Sequence, residues 1–358
     1  MKNYSNILID ILTPKQALFF CKLAEKLQDR GYNVHLTSRN YDETIQILER
    51  NKKNAKIIGE YGKTLQEKLL NSLDRTRELA KFELDLGIDL TISFSSVEAA
   101  RSSFGLSIPH FCVSDSPHAS AVSRLSLPLS DKLFAPSIIP KKEWLQYGIE
   151  SNKIFTYNAI DPVVWIKDTK PNQNDLTCLN LNPNKDTITV RLEETFASYL
   201  LGTDSMKYSI TFEVIDRLLN EKPDMQIVVL PRYKEQINLL KQKFSDRIII
   251  PTSLVYAPSL LLVSEVFIGG GGTMTAEAAL LGIPTISCFP GGSTYVEQFL
   301  SKHGLLKRIM DAEMIVTWVS EVLAGKISKK ELKQGAKNLM DKMDDPLEVI
   351  IKGLETNN

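Results

Sequence analysis

Four consecutive glycines, Gly269 to Gly272, run into Thr273, Thr275 and Glu277, and this is the stretch whose residue types are best suited to chemistry. Glycines let a backbone approach a ligand closely and adopt φ values that other residues avoid, so successive N–H groups can face an anion. A helix starting near Thr273 adds its N-terminal dipole and free N–H groups, and the hydroxyls of Thr273 and Thr275 add donors to phosphate oxygens. The pattern is that of a grip for the diphosphate of a nucleotide. One turn further on the same helix, Glu277 is placed to accept two hydrogen bonds from a ribose diol. A plain strand-to-helix turn capped by Thr273, with Glu277 as a surface charge, would need fewer glycines.

Other candidates follow apolar runs in the same way. Asp115 and His118, in Val113-Ser114-Asp115-Ser116-Pro117-His118, offer a carboxylate and an imidazole, and either can serve as the base that takes a proton from an acceptor hydroxyl. A turn at Ser116-Pro117 with an exposed His118 is the plainer alternative. Arg191, with Glu193 and Glu194 close behind, ends an apolar run where an arginine can pair with a diphosphate and stabilise departing charge; a local ion pair with Glu193 or Glu194 would explain it equally simply. Thr13, Lys15 and Gln16 follow the first apolar run, Lys15 suited to a phosphate or an acceptor, although Pro14 also reads as an ordinary helix start. Ser293 and Thr294, after Pro290-Gly291-Gly292, are weaker candidates for sugar or phosphate contacts, as are Glu297 and Gln298 for sugar hydroxyls.

Several chemistries are absent from the sequence. There is no GxxxxGK[ST], and the first strand is followed by Thr13-Pro14-Lys15-Gln16 rather than GxGxxG, which argues against a P-loop nucleotidase and against a dinucleotide-binding first domain. The four histidines are dispersed and the four cysteines form no CxxC pair, so no metal site is expected. No DxD motif occurs either. A metal-independent reaction without a cofactor is the simplest expectation.

The elements that must hold these residues alternate between short apolar runs and longer amphipathic ones, the pattern of βα units on parallel sheets. Strands are expected at residues 7–12, 33–37, 90–93, 110–114, 132–135 and 154–157, then at 187–192, 226–230, 247–250, 266–269 and 285–288. Between the two sets, residues 167–186 are rich in Asp, Asn, Lys and Pro and read as a linker. Helical patterns fill the chain beyond Lys302, and Asp345-Pro346 starts a last helix.

The segment from Ile268 through Gly269-Gly270-Gly271-Gly272-Thr273-Met274-Thr275-Ala276-Glu277 to Leu281-Gly282-Ile283-Pro284-Thr285 resembles the donor-site signature of GT-B-fold glycosyltransferases and the related non-hydrolysing UDP-N-acetylglucosamine 2-epimerases. In that superfamily the glycine loop and the following helix bind the donor diphosphate and the helix glutamate holds the ribose. The resemblance implies those roles for Gly270, Gly271, Gly272, Thr273 and Glu277. Asp10-Ile11-Leu12-Thr13-Pro14-Lys15-Gln16 and Asp115-Ser116-Pro117-His118 are similar to an uncharacterised, largely archaeal family of the superfamily, though Pro117 stands where that family often has an acidic residue. The fold implied is α/β, with two Rossmann-like domains facing a cleft and C-terminal helices, and with ligands outside the carboxyl ends of the strands. The expected organisation is an acceptor-side domain over residues 1–166, the linker, a nucleotide-sugar domain over 187–344, and a closing helix at 345–358 with a return to the first domain left open.

With 43 basic and 43 acidic residues the chain has no net field to attract nucleic acid. The N-terminus lacks the order of a signal peptide and Gly282, Pro284 and Pro290 interrupt the longest uncharged stretch, so a cytoplasmic protein is expected. The expected partner is a nucleotide sugar, as substrate, with a UDP donor first. Whether the acceptor is soluble or lipid-linked, with peripheral membrane contact, stays open, as does the oligomeric state. The expected activity is glycosyl transfer to a hydroxyl; the alternatives are UDP-sugar 2-epimerisation and a non-catalytic nucleotide-sugar-binding protein.

Overall fold

The structure is a computed structural model that describes residues 4–62, 64–167, 169–193 and 209–355. It divides into two compact units, Met1–Trp165 together with Met343–Asn358, and Ile166–Lys342. Each is built on a wholly parallel sheet.

The first sheet contains β1 (Asn6–Ile11), β2 (Asn33–Asn40), β3 (Lys56–Glu60), β4 (Leu90–Ser93), β5 (His110–Val113), β6 (Lys132–Pro136) and β7 (Ile154–Tyr157). Their order is β3-β2-β1-β4-β5-β6-β7. All pairings are parallel, so each strand must be joined to the next by a crossover, and helices cover the faces. This is why β4, β5 and β6 are buried at every position, their polar residues Thr91, Ser93, His110 and Lys132 included. β3 lies at the edge and buries only Ile58, which leaves it without a pattern to reveal it. The strand order reverses between β1 and β4, and the helices after these two strands leave on opposite sides of a crevice at their carboxyl ends.

A buried ion pair fixes the middle of this sheet. Asp10 on β1 accepts from both terminal nitrogens of Arg75, at 3.0 and 2.5 Å, and from the Thr37 hydroxyl at 2.8 Å. Burial works to raise the Asp10 pKa, but the guanidinium beside it holds the group below its ordinary value.

The chain's last helix, Pro346–Glu355, belongs to the first unit. Its face of Leu347, Ile350, Ile351 and Leu354 is buried. Lys26 bonds Asp345 and Glu348 at 2.6 and 2.7 Å, and the Lys132 ammonium donates to the Gly353 carbonyl at 2.7 Å.

The second sheet contains β8 (Thr187–Arg191), β9 (Gln226–Leu230), β10 (Val266–Gly269), β11 (Thr285–Ser287) and β12 (Lys307–Arg308), in the order β12-β11-β10-β8-β9. The reversal falls between β8 and β10. Ile188, Val190, Val229 and Ile268 face a core closed by Val214, Leu218, Phe244 and Val319 from the helices. The strand expected at 247–250 is reduced to one parallel bridge, Val228 to Ile249, because the chain turns through a 3-10 segment at Ser245–Arg247 with Ser245 at φ 49°.

Residues 167–186 are more than a polar linker. A 3-10 helix at Gln173–Leu179 buries Leu179 against Val228, Leu230 and Leu260, and Asp175 accepts from the Ser259 hydroxyl at 2.6 Å. No helix among the described residues is long and apolar enough to cross a membrane.

Candidate active site

In the second unit the carboxyl ends of β8 and β10 meet at the point where the strand order reverses. The Gly270 N–H donates to the Arg191 carbonyl at 2.9 Å, which extends the β8–β10 ladder by one bond and brings the glycine loop across the end of β8. This approach requires glycine: a Cβ on Gly270 would stand 2.6 Å from the Glu193 backbone. Gly271 and Gly272 then turn through φ 89° and 96°, in the left-handed region, and deliver the chain into the helix Thr273–Leu280. Gly272 is the helix cap and is exposed, and it makes no side-chain cap bond to the first turn, where the Thr275 N–H bonds the Gly272 carbonyl at 3.2 Å. Thr273 is half-buried at the first helical position, and Thr275 is buried with its hydroxyl unpartnered. Glu277, one turn along, is only 2% exposed.

Arginines brace this loop. Arg232, just beyond β9, donates from Nη2 to the Gly271 carbonyl at 3.1 Å and from Nε to the Leu192 carbonyl at 3.0 Å. Its guanidinium stands 3.2 Å from where a Cβ on Gly272 would lie, so a positive charge flanks the open helix start. Arg191 donates to the Pro231 carbonyl at 2.8 Å. Glu193 accepts from the hydroxyls of Ser209 and Thr211, both at 2.8 Å, at the start of the helix Ile210–Glu221. Arg308 on β12 donates to the Phe289 carbonyl at 2.8 Å and to the Gly291 carbonyl at 2.5 Å, shaping the second loop of the site. Glu194 lies outside the described residues.

Ser293 and Thr294 have local work. Thr294 caps the helix Tyr295–Lys302 in a reciprocal box with Glu297, and the Ser293 carbonyl accepts from Gln298 at 3.0 Å. Glu297 also takes a hydrogen bond from the Ser287 hydroxyl, so it is committed to the fold rather than to a sugar.

In the first unit Lys15 and Asp115 come together. Pro14 starts the helix Pro14–Asp29 and puts Lys15 in its first turn, at the reversal point between β1 and β4. Its ammonium lies 4.4 Å from the Phe94 ring centroid, 2.5 Å from Asp115 Oδ2 and 2.7 Å from Asp161 Oδ2. Asp115 follows β5, takes a second hydrogen bond from Ser116 at 2.8 Å, and keeps 19% of its side chain exposed. Asp161, beyond β7, is wholly enclosed and accepts from the Tyr157 hydroxyl at 2.6 Å.

The two carboxylates differ because their surroundings do. Burial pushes both pKa values up. At Asp115 the Lys15 charge and hydrogen bond outweigh burial and leave the group below its ordinary value; at Asp161 burial and the Asp115 charge prevail over Lys15 and leave it above. Lys15 is desolvated too, yet the two carboxylates raise it and keep it an ammonium.

Thr13 stands apart from this cluster, and His118 reaches it only through its charge, which helps to lower Asp115. Thr13 occupies the cap position of the Pro14–Asp29 helix without a side-chain bond to it, and His118 is exposed three residues after Asp115. Gln16 turns inward: it accepts from the Leu12 N–H at 2.6 Å and donates to the Phe94 carbonyl at 3.3 Å, tying the loop ends of β1 and β4 together. Both ends of its amide are used by the backbone. Among the described residues no group of three or more His, Cys, Asp or Glu side chains is arranged to hold a metal.

Among the residues of these clusters that escape a reading of the sequence are Asp161 and Arg232. Each has the same signal as one that does not. Asp161 follows an apolar strand as Asp115 does, and Arg232, after Pro231, follows β9 as Arg191 ends β8.

The chain is 29% identical over 330 residues to an uncharacterized protein of Methanocaldococcus jannaschii, covering 91% of this chain and 94% of that one. Among solved structures, the UDP-GlcNAc 2-epimerase from Neisseria meningitidis bound to UDP-GlcNAc superposes with a TM-score of 0.76 at 17% identity, over 98% of this chain and all (100%) of that chain. The spinosyn rhamnosyltransferase complexed with thymidine diphosphate does so with a TM-score of 0.63 at 14% identity, over 98% and 100%. The fold of two Rossmann-like domains is therefore shared with epimerases and glycosyltransferases that take nucleotide-linked ligands. The family model described as "Protein of unknown function (DUF354)" matches residues 5–355, and the chain belongs to that family.

Proposed function

We propose that the chain is a glycosyltransferase that holds a nucleoside diphosphate sugar at the glycine loop, with Asp115 as its candidate base. The observation that carries the nucleotide part is the open helix start behind Gly272 with the Arg232 guanidinium beside it. Backbone N–H groups and a fixed cation at one point are what a diphosphate needs, both bound and as a departing group. Glu277 then serves the ribose diol, and the Thr273 hydroxyl and backbone serve the phosphate oxygens. The two nucleotide-bound neighbours carry uracil and thymine, which makes UDP and dTDP the first donors to try.

Transfer is preferred to epimerisation because of the carboxylates. Direct displacement of the diphosphate by an acceptor hydroxyl needs one accessible base, and Asp115 is partly exposed and ionised. Epimerisation at a sugar carbon needs acid and base groups that reach the sugar, and Asp161 is enclosed. The fold likeness to a UDP-GlcNAc 2-epimerase makes 2-epimerisation the second reading.

One comparison separates them. The purified protein is incubated with UDP-GlcNAc alone and the sugar followed by NMR. Slow release of UDP without isomerisation is the outcome expected of a transferase without its acceptor; conversion to the manno isomer would overturn transfer in favour of epimerisation.

A further inference from the structure

The Lys15 cluster contains one more carboxylate than cation. Asp115, Asp161 and Lys15 sum to a charge of minus one, largely shielded from water, with the ammonium within 2.7 Å of both carboxylates. Asp161 cannot touch a ligand itself. Its side chain has no exposed surface, one oxygen faces Lys15, and the other is taken by the Tyr157 hydroxyl. Burying a second carboxylate costs free energy that only pairing and hydrogen bonding offset, and Lys15 and Tyr157 supply both.

We propose that Asp161 is a positioning residue that makes Asp115 an effective base beside Lys15, a role that rests on the transferase reading above. A carboxylate paired with a lysine of its own is a poor base, because accepting a proton leaves a buried ammonium without a counter-ion. Here the counter-ion stays. When the acceptor O–H bond breaks, its proton passes to an Asp115 oxygen and the acceptor oxygen's electron pair forms the new bond to the sugar. The sugar's bond to the diphosphate breaks and its electron pair leaves on the phosphate. The cluster goes from minus one to zero, and Lys15 remains paired with Asp161.

The charged and titratable groups facing the pair are Lys15, Tyr157 and His118. Tyr157 is held protonated, since burial and the Asp161 charge push its pKa well up, so it remains a donor to Asp161. The two carboxylates titrate as a unit, with the first proton belonging to the pair.

The test needs no substrate in its first half. The full chain is labelled with carbon-13 at the aspartate carboxyls, Asp115 is assigned through Asp115→Asn, and both groups are followed against pH. The wild type is expected to show a step above the ordinary aspartate value of about 3.9 and a second below it. Asp161→Asn should remove the upper step and leave Asp115 titrating below. Tyr157→Phe, a milder change that keeps the carboxylate, should move the upper step to higher pH. In the second half, the acid limb of kcat/KM for sugar transfer should follow the upper step and fall to lower pH in Asp161→Asn, with kcat reduced at the plateau.

A purely structural Asp161 would lower the amount of active protein and leave the limb in place, and that result overturns the proposal. So does a wild type without an upper step. If no nucleotide sugar reacts at all, the transferase reading fails, while the titration still decides whether the cluster takes up a proton as described.

Discussion

Arg232 is the residue whose role is most exposed to test, because its Nη2 is tied to the Gly271 carbonyl of the loop that it is proposed to charge and its Nε to the Leu192 carbonyl. Arg232→Ala should weaken binding of a nucleoside diphosphate by about tenfold or more, as removal of a charge-assisted hydrogen bond does. The loss should shrink as salt is added, since the interaction is partly Coulombic. Titration calorimetry at two ionic strengths reads both effects, and an unchanged affinity would remove Arg232 from the site. At this scale the glycine loop and Glu277 were legible in the sequence because four glycines before a helix have few other uses. Arg232 and Asp161 were not, because a single arginine or aspartate after a strand is ordinary, and only its neighbours in space give it meaning. Gln16, in the first turn of its helix, and Thr294, at a helix cap, are both bonded to the backbone.

Among the elements, the loops of the second unit make separable claims. Thr294→Ala removes a helix cap and should cost about 1 kcal/mol of stability with nucleotide affinity unchanged. Gly270→Ala drives a methyl group into the Glu193 backbone, and should lower both stability and affinity because the loop must move. Gly292→Ala is the control: open space surrounds it, so a change within about 0.5 kcal/mol is expected. Thermal unfolding and calorimetry on the three variants check the order, and a Gly270→Ala protein that binds and melts like Gly292→Ala would contradict the close approach drawn here. Most strands could be read from their apolar runs, since central parallel strands are buried on both faces. β3 and the 247–250 segment could not: β3 is an edge strand with one buried residue, and the other is a bridge after a turn.

For the whole molecule, the two parallel sheets follow from the alternation of apolar and amphipathic runs, and the residues with chemistry gather at the two points where strand order reverses. The place of the last helix did not follow from sequence. Its apolar face is plain, but the partner of that face is given only by tertiary contacts with Phe134, Lys132 and Lys26. Gly353→Val should therefore destabilise the first unit, because Gly353 is buried and a Cβ there meets the Phe134 ring at 2.4 Å. Loss of about 1–3 kcal/mol by overpacking is expected in chemical denaturation, and a neutral result would show that this helix packs elsewhere.

The central claim is that the glycine loop binds the diphosphate of a nucleotide. Calorimetric titration of the wild-type chain and of Glu277→Ala with UDP and dTDP, and with the matching nucleosides, addresses it directly. The account predicts one saturable site for a diphosphate, binding at least about tenfold weaker for its nucleoside, and a further loss in Glu277→Ala of the size of a hydrogen bond to a charged group, about 1.5–3 kcal/mol. Binding of neither diphosphate, or equal affinity for diphosphate and nucleoside with Glu277→Ala unaffected, would contradict it.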